Sequence, residues 1–401
     1  MRKIYALLLV LVLVLCCSVG CAPKQDGNEP SDSAKPDESK APSDQADVIK
    51  FGVFEPMTGA NAAWGEYEMR GIELANKLYP EVLGKKIELV VADNKSDVVE
   101  AANAAARLVE TSGVVLALGS AGSSLSMAGG DAFKNGKMPC IGTSPTSPNV
   151  TLGNEYFFRV CFLDTFQGIA LANFAASELN LKKAGIIYEI TNDTCVAMRG
   201  PMRETYEKLG GEIVGEASFS VGDQDFSAQL IAVLSNEPDV VFCPGNPTEV
   251  ALLIKQARSM GYKDVRFMSN DGVDVPAFLE VGGADLNGTY VTTHFSAEAP
   301  INDMTDVFLK AYTENYDDEP SALSALGFDA YLAGLKAIEA AGNFNGSDIK
   351  DALNKLEFDG CTGMITFDEN GDAIKNKVVL KIVSDGTWEY GGTTEIKIDD
   401  K

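Results

Sequence analysis

Two successive runs of alternating strand and helix patterns, joined by short connections, constrain this chain more than any other feature. Short apolar segments at residues 48–54, 87–92, 114–118 and 138–141 read as buried strands, and residues 64–78 read as a helix between the first two. Another helix follows Ser96, its expected cap, and presents Val98, Ala102, Ala105 and Val109 on one face. The pattern restarts at residues 185–190 and runs through strands at 212–219, 240–243 and 265–268, with helices between them. One of these helices carries Val250, Leu253, Ile254 and Ala257 on one face. Two such runs predict an α/β protein of two doubly wound parallel-sheet lobes. Strand-like joins near residues 157–161, 290–295 and 360–367 fall where the runs change over, so three strands are expected to cross between the lobes. This assigns 48–161 plus 295–363 to an N-terminal lobe and 162–294 plus 364–401 to a C-terminal lobe. Open α/β sheets bind ligands beyond the carboxyl ends of their strands, so two facing lobes predict a ligand cleft.

The segment ahead of these runs has a different character. Arg2 and Lys3 precede the apolar run ALLLVLVLVLCC, which ends in small residues, so residues 1–20 read as a secretory signal peptide. Val19-Gly20-Cys21 resembles a bacterial lipobox, in which Cys21 is lipidated and becomes the mature N-terminus. Residues 21–47 are dominated by Pro, Ser, Asp, Lys and Gln and read as a flexible tether. The expected location is therefore extracytoplasmic, lipid-anchored to the outer face of the cell membrane.

Composition removes several functions. A formal net charge of −25 over 401 residues opposes nucleic-acid binding, which needs a basic footprint. The body cysteines, Cys140, Cys161, Cys195, Cys243 and Cys361, have neither the spacing of a disulfide framework nor that of a zinc site. Cys140, Cys161 and Cys243 lie in apolar strand-like stretches and read as buried thiols. The chain has one histidine, His294, which excludes a His-rich metal site and leaves a catalytic triad dependent on a single residue. No G-x-S-x-G elbow is present. An enzyme is not expected, nor is a metal or a cofactor, and His294 reads as a hydrogen-bonded hinge residue.

What remains is a set of polar loops at strand ends. LALGSAGSSLS, residues 116–126, has no Lys after its glycines until Lys134 and lacks G-x-G-x-x-G, so it is neither a P-loop nor a dinucleotide fingerprint. Ser123 and Ser124 open a helix expected over 124–133, whose free N–H groups favour an anion. A helix cap with no ligand explains that loop equally well. IGTSPTSPNVT, residues 141–151, follows the next strand, and Pro145 and Pro148 are expected to leave its carbonyls without reciprocal donors. There Ser144 and Thr146 can offer a carbonyl and a hydroxyl. In the second lobe MSNDGVDVP places Asp271 just past a strand, facing the serine loops. Donors on one wall and a carboxylate on the other suit a zwitterion.

Taken in order, GVFEPMTGANAAWGEYEMRGIELAN, GSAGSS, GTSPTSPNVTLG, NDGVD, VTTHFS and TGMITFDENGD resemble the type I extracytoplasmic solute-binding proteins of ABC importers. Within them the likeness is to the branched-chain amino acid (leucine/isoleucine/valine) binding group, and it runs from Val48 to about Tyr390. The resemblance implies a two-lobed receptor that closes on an amino acid and delivers it to an ABC permease and its ATPase subunits. It implies that Ser123 meets the ligand carboxylate, that Ser144 and Thr146 and the acid Asp271 meet the ammonium, and that Trp64 lies at the cleft edge. Two aromatic positions depart from the family: Thr194 stands where a tyrosine covers the ligand, and Asn246-Pro247 replace a tyrosine pair. Gly122 stands where a disulfide cysteine would be. An unpartnered Asn246 is expected to favour a polar ligand side chain or a retained water. The body is expected to be a monomer. The alternative reading is a ligand-sensing receptor for a small amide or other small molecule, without transport.

Overall fold

The computed structural model describes residues 47–396. The expected signal peptide, Cys21 and the tether up to residue 46 lie outside the described residues.

The first sheet grows from β1 (Val48–Val53), β2 (Glu81–Val82), β3 (Lys85–Val91), β4 (Val114–Leu118), β5 (Cys140–Gly142) and β6 (Phe157–Arg159), in the order β2-β3-β1-β4-β5-β6. All neighbours are parallel except β2 and β3. Its strands are short and apolar because helices cover both faces. Phe51, Leu116 and Phe158 pack on one side with Ile72, Phe308, Leu326 and Ile349. Phe54, Phe133 and Phe157 pack on the other with Ala101 and Ala105.

The second sheet repeats the plan with β7 (Lys183–Glu189), β8 (Glu212–Phe219), β9 (Val240–Phe242), β10 (Arg266–Ser269) and β11 (Tyr290–Thr293). After a two-stranded hairpin of β12 (Glu357–Gly360) and β13 (Gly363–Thr366), β14 (Lys377–Ser384) and β15 (Thr387–Glu395) extend it, giving the order β15-β14-β11-β10-β9-β7-β8. β14 and β15 are antiparallel additions to a parallel core. β1 sits between β3 and β4, and β7 between β8 and β9, so winding reverses beside β1 and β4 and beside β7 and β9, where a crevice opens at the strand ends.

The chain passes between the sheets after β6, after β11 and between β13 and β14. The last passage falls later than residue 363, the boundary suggested by the sequence. Ile365 and Phe367 belong to the first core, and Arg159 of β6 bridges Asp372, so the chain stays with the first sheet almost to Lys377.

Two glycines fix how the helix carrying Trp64 is held. A Cβ on Gly71 would lie 1.9 Å from the Ser324 carbonyl oxygen, and one on Gly327 would lie 2.2 Å from that of Glu68. Helices Ala62–Leu78 and Ala322–Ala341 therefore meet backbone to backbone. The helix after β3 is capped by Asp97, whose side chain accepts from the Val99 and Glu100 N–H groups, rather than by Ser96. Ser96 sits at φ 56° and links loops instead: its Oγ accepts from the Asn61 N–H at 2.9 Å and donates to the Thr58 carbonyl at 2.8 Å. All five body cysteines are buried and unbridged. No described helix is long and apolar enough to cross a membrane.

Candidate functional site: a cleft between strand ends

Trp64, Ser123, Ser144, Thr146, Thr194, Asn246 and Asp271 all line one cleft of about 500 Å³. The loops after β4 and β5 form one wall, and the loops after β7, β9, β10 and β11 form the other. Sequence separation reaches well over a hundred residues across it, which only the double winding brings together.

The first wall combines donors with one carbonyl. Ser123 opens the helix Ser123–Gly136, and Gly122 before it sits at φ 90° with no side chain capping the first turn. Those first-turn N–H groups are thus without an intrahelical partner. Ser123 Oγ accepts from the Ser147 N–H at 3.1 Å, which leaves its own proton to give away. The Ser144 hydroxyl is turned inward to Glu68, so what it offers the cleft is its carbonyl. The Thr146 carbonyl accepts from the Asp164 N–H at 3.0 Å, and its side chain stands between the cleft and the Asp164 carboxyl.

The proline loop is not left with free carbonyls, as the sequence suggested. Arg159, fully buried, donates to the Pro145 and Ser147 carbonyls at 2.6 and 2.7 Å and to Thr151 Oγ1 at 2.9 Å. Its Nε pairs with Asp372 Oδ1 at 2.6 Å. One guanidinium therefore shapes the whole loop, using the fixed fork that lysine lacks.

The second wall is centred on Asp271. Its Oδ1 accepts from Gln167 Nε2 at 3.1 Å, and its Oδ2 lies 3.0 Å from His294 Nε2. His294 stacks on Phe162 with ring centroids 3.6 Å apart, at the passage that follows β11. Beneath Asp271 is Asp164, whose Oδ1 accepts from Gln167 at 3.0 Å and whose buried Oδ2 has no partner among the described residues. Burial pushes the Asp164 carboxyl up to about 6; the Thr146, Gln167 and Thr194 side chains oppose that rise, and the charge of Asp271 adds to it.

Asn246 is not unpartnered, which corrects the expectation from sequence. It precedes Pro247 at a helix start, yet its side chain does not cap that helix. Its Nδ2 donates to Glu189 Oε1 and its Oδ1 accepts from Asn192 Nδ2, both at 3.2 Å. Glu189, at the end of β7, also accepts the Asn246 N–H at 2.9 Å and the Thr191 hydroxyl at 3.1 Å. The amides of Asn192 and Asn246 each carry a second N–H beyond these bonds. Among the described residues Glu189, Asp193, Asp271 and Asp274 line the cleft and no Lys or Arg does, although Lys381 pairs with Asp274 at 2.8 Å.

The decisive comparison follows from this geometry. The profile of the periplasmic binding protein family matches residues 48–387. The chain belongs to the periplasmic binding protein family. A leucine-, isoleucine-, valine-, threonine- and alanine-binding protein of Pseudomonas aeruginosa is 28% identical over 339 residues, covering 82% of this chain and 88% of the relative. Among solved structures, a leucine binding protein LivK from Thermotoga maritima is 38% identical with a TM-score of 0.80, covering 88% of this chain and 100% of the other. A branched-chain amino acid transporter substrate binding protein LivJ from Streptococcus pneumoniae, in complex with isoleucine, is 31% identical with a TM-score of 0.78, covering 87% and 99%. Membership of the periplasmic binding protein family agrees with the two sheets and with a cleft between their strand ends.

Sequence reasoning missed Glu189 in the lining and the groups behind it: Glu55, Glu68, Arg159, Asp164 and Gln167. Several carried a local signal. Arg159 interrupts the apolar FFRVCF, Glu55 follows FGVF, and Glu189 follows GIIY. A charge directly at the end of a buried strand is expensive without a partner, so it points to a constructed site.

Proposed function

We propose that this periplasmic binding protein captures an amino acid in its cleft and presents it to an ABC permease served by ATPase subunits. The observation that carries the reading is the opposition of two walls: the Ser123 hydroxyl with the open first turn of its helix, and the Asp271 carboxylate across the cleft. The first suits an α-carboxylate and the second an α-ammonium. In this reading Ser144 contributes a carbonyl and Thr146 a hydroxyl to the ammonium, and Trp64 closes the edge.

Thr194 and Asn246 face the ligand side chain. The second N–H of Asn192 and of Asn246 and an acid-only lining favour a polar side chain that carries no negative charge. The relatives whose names give leucine, isoleucine and valine support the amino-acid class; the polar wall argues for a shifted selectivity within it. About −8 kcal/mol gives micromolar affinity, and charge-assisted hydrogen bonds contribute roughly 1.5–3 kcal/mol each. A few around a zwitterion suffice. The N-terminal segment adds the proposal that Cys21 anchors the protein by a lipid to the outer face of the cell membrane, with a monomeric body of two lobes.

A thermal-shift screen against the twenty amino acids, small amides and purines tests this. One or more amino acids must raise the midpoint with concentration. Asparagine or glutamine raising it more than aspartate or glutamate supports the acid-only wall; a purine as sole binder overturns the amino-acid reading.

A further inference from the structure

Glu55 and Glu68 are both fully buried and meet the same hydroxyl. Thr143 Oγ1 lies 2.5 Å from Glu68 Oε2 and 3.2 Å from Glu55 Oε1. The remaining oxygens are also engaged: Glu55 Oε2 accepts the Ala121 N–H at 2.8 Å, and Glu68 Oε1 accepts from the Ser144 hydroxyl. A Cβ on Gly119 would lie 2.4 Å from Glu55 Oε1, so only glycine lets the loop after β4 pass the carboxyl.

A hydroxyl has one proton. If both carboxyls were ionised, Thr143 could satisfy one, and the other would set its oxygen against a lone pair in a fully buried site. If one carboxyl is protonated, it donates to Thr143 Oγ1, and Thr143 donates to the other. Every oxygen then has a partner. We propose that Glu55 and Glu68 hold a single proton between them through Thr143, and that this pair is the positioning device for the first wall of the cleft. It ties the ends of β1, β4 and β5 to the Trp64 helix, and it fixes Ser144 with its carbonyl toward the ligand. Nothing moves covalently; one proton stays with the pair.

The electrostatics agree. Burial, then the charge of Glu68, holds the Glu55 carboxyl well above its ordinary value, and burial raises Glu68 as well. The pair titrates as a unit. The other titratable group whose charge bears on it is the Cys140 thiol, kept neutral by burial and by Glu55. No Lys, Arg or His side chain hydrogen-bonds to either carboxyl among the described residues.

The proton itself is read without any ligand. Infrared difference spectra of the apo protein, taken just above the ordinary glutamate range, are expected to contain a protonated carboxylic acid band that is missing from Glu55→Gln/Glu68→Gln. The apo melting midpoint of the wild type is expected to fall relative to Glu68→Gln as pH rises above the ordinary glutamate range toward the raised folded value, because there the folded pair keeps a proton that the unfolded chain has released. The positioning role rests on the amino-acid reading above and is measured with whichever amino acid raises the midpoint. Glu68→Gln, which preserves one neutral partner, is expected to bind it at least tenfold more tightly than Glu68→Leu. Should Glu68→Leu fail to fold, the comparison is made with Thr143→Val. Absence of the acid band in the wild type, or identical pH profiles for wild type and Glu68→Gln, overturns the shared proton. Equal affinities in the Gln and apolar variants overturn the positioning role. A protein with the band that binds no amino acid would refute the proposed function and leave the shared proton standing.

Discussion

Gln167 grips Asp271 from both ends: its Nε2 donates to Asp271 Oδ1 at 3.1 Å while its Oε1 accepts the Asp271 N–H at 3.2 Å. Thr292 Oγ1 donates to the same Oε1 at 2.8 Å and locks the amide against being flipped. The acid proposed to meet the ammonium is thus aimed by a second side chain from another helix. Asp271→Ala is expected to lower affinity at least a hundredfold while leaving the apo melting midpoint nearly unchanged, since its carboxylate borders the open cleft. Gln167→Leu keeps the charge but loses the aim, and about a tenfold loss is expected by calorimetric titration. An unchanged affinity in Asp271→Ala would remove the ammonium from this wall.

Selectivity is expected to follow Asn246. Replacing it with tyrosine restores apolar contact area beside the ligand side chain and removes the bond to Asn192. Asn246→Tyr is expected to shift the ratio of leucine to glutamine affinity toward leucine by tenfold or more. A ratio that stays put would mean that Asn246 only supports Glu189.

Arg159 is structural in a way that serves the site. Arg159→Met strands Asp372 and frees the Pro145 and Ser147 carbonyls. Breaking one partner of a buried pair costs about 3–5 kcal/mol. Chemical denaturation of the apo protein measures this loss directly, and a change below about 1 kcal/mol would show that water replaces the guanidinium.

Asp164 predicts a pH dependence of opposite sense to an ordinary ion-paired acid. Its folded value of about 6 is above the 3.8 of a free aspartate. A raised acid stabilises below the unfolded value and loses that contribution as pH climbs from about 4 through 6. The loss is on the order of 3 kcal/mol. Asp164→Asn should therefore gain stability over the wild type between pH 4 and 7, as melting midpoints at both ends of the range would register. A difference independent of pH would place the carboxyl at its free value.

Much of the fold was legible in the chain because each βα unit is specified locally. The sequence reads a strand over residues 212–219, and β8 spans Glu212–Phe219. The helix containing Val250 and Ile254 follows its own periodicity. Cleft residues were legible for a related reason: strand-end loops rich in Ser, Thr and Asp have little else to do, and winding order alone sends Ser123, Ser144 and Asp271 to the same sheet edges. Ser96 misled because capping depends on backbone angles, and its left-handed conformation hands that role to Asp97.

The sequence by itself determined the alternation of strand and helix, and with it the two doubly wound sheets and the polar loops that border the cleft. Only the tertiary structure decided how those loops are held. Arg159 reaches Asp372, Glu68 reaches Thr143 and Ser144, and Asn246 reaches Asn192 and Glu189, across gaps in sequence of 213, 75 and 76, and 54 and 57 residues. The physical reason is that periodicity is a property of neighbours along the chain. The satisfaction of a buried charge depends instead on whatever distant group the fold sets against it.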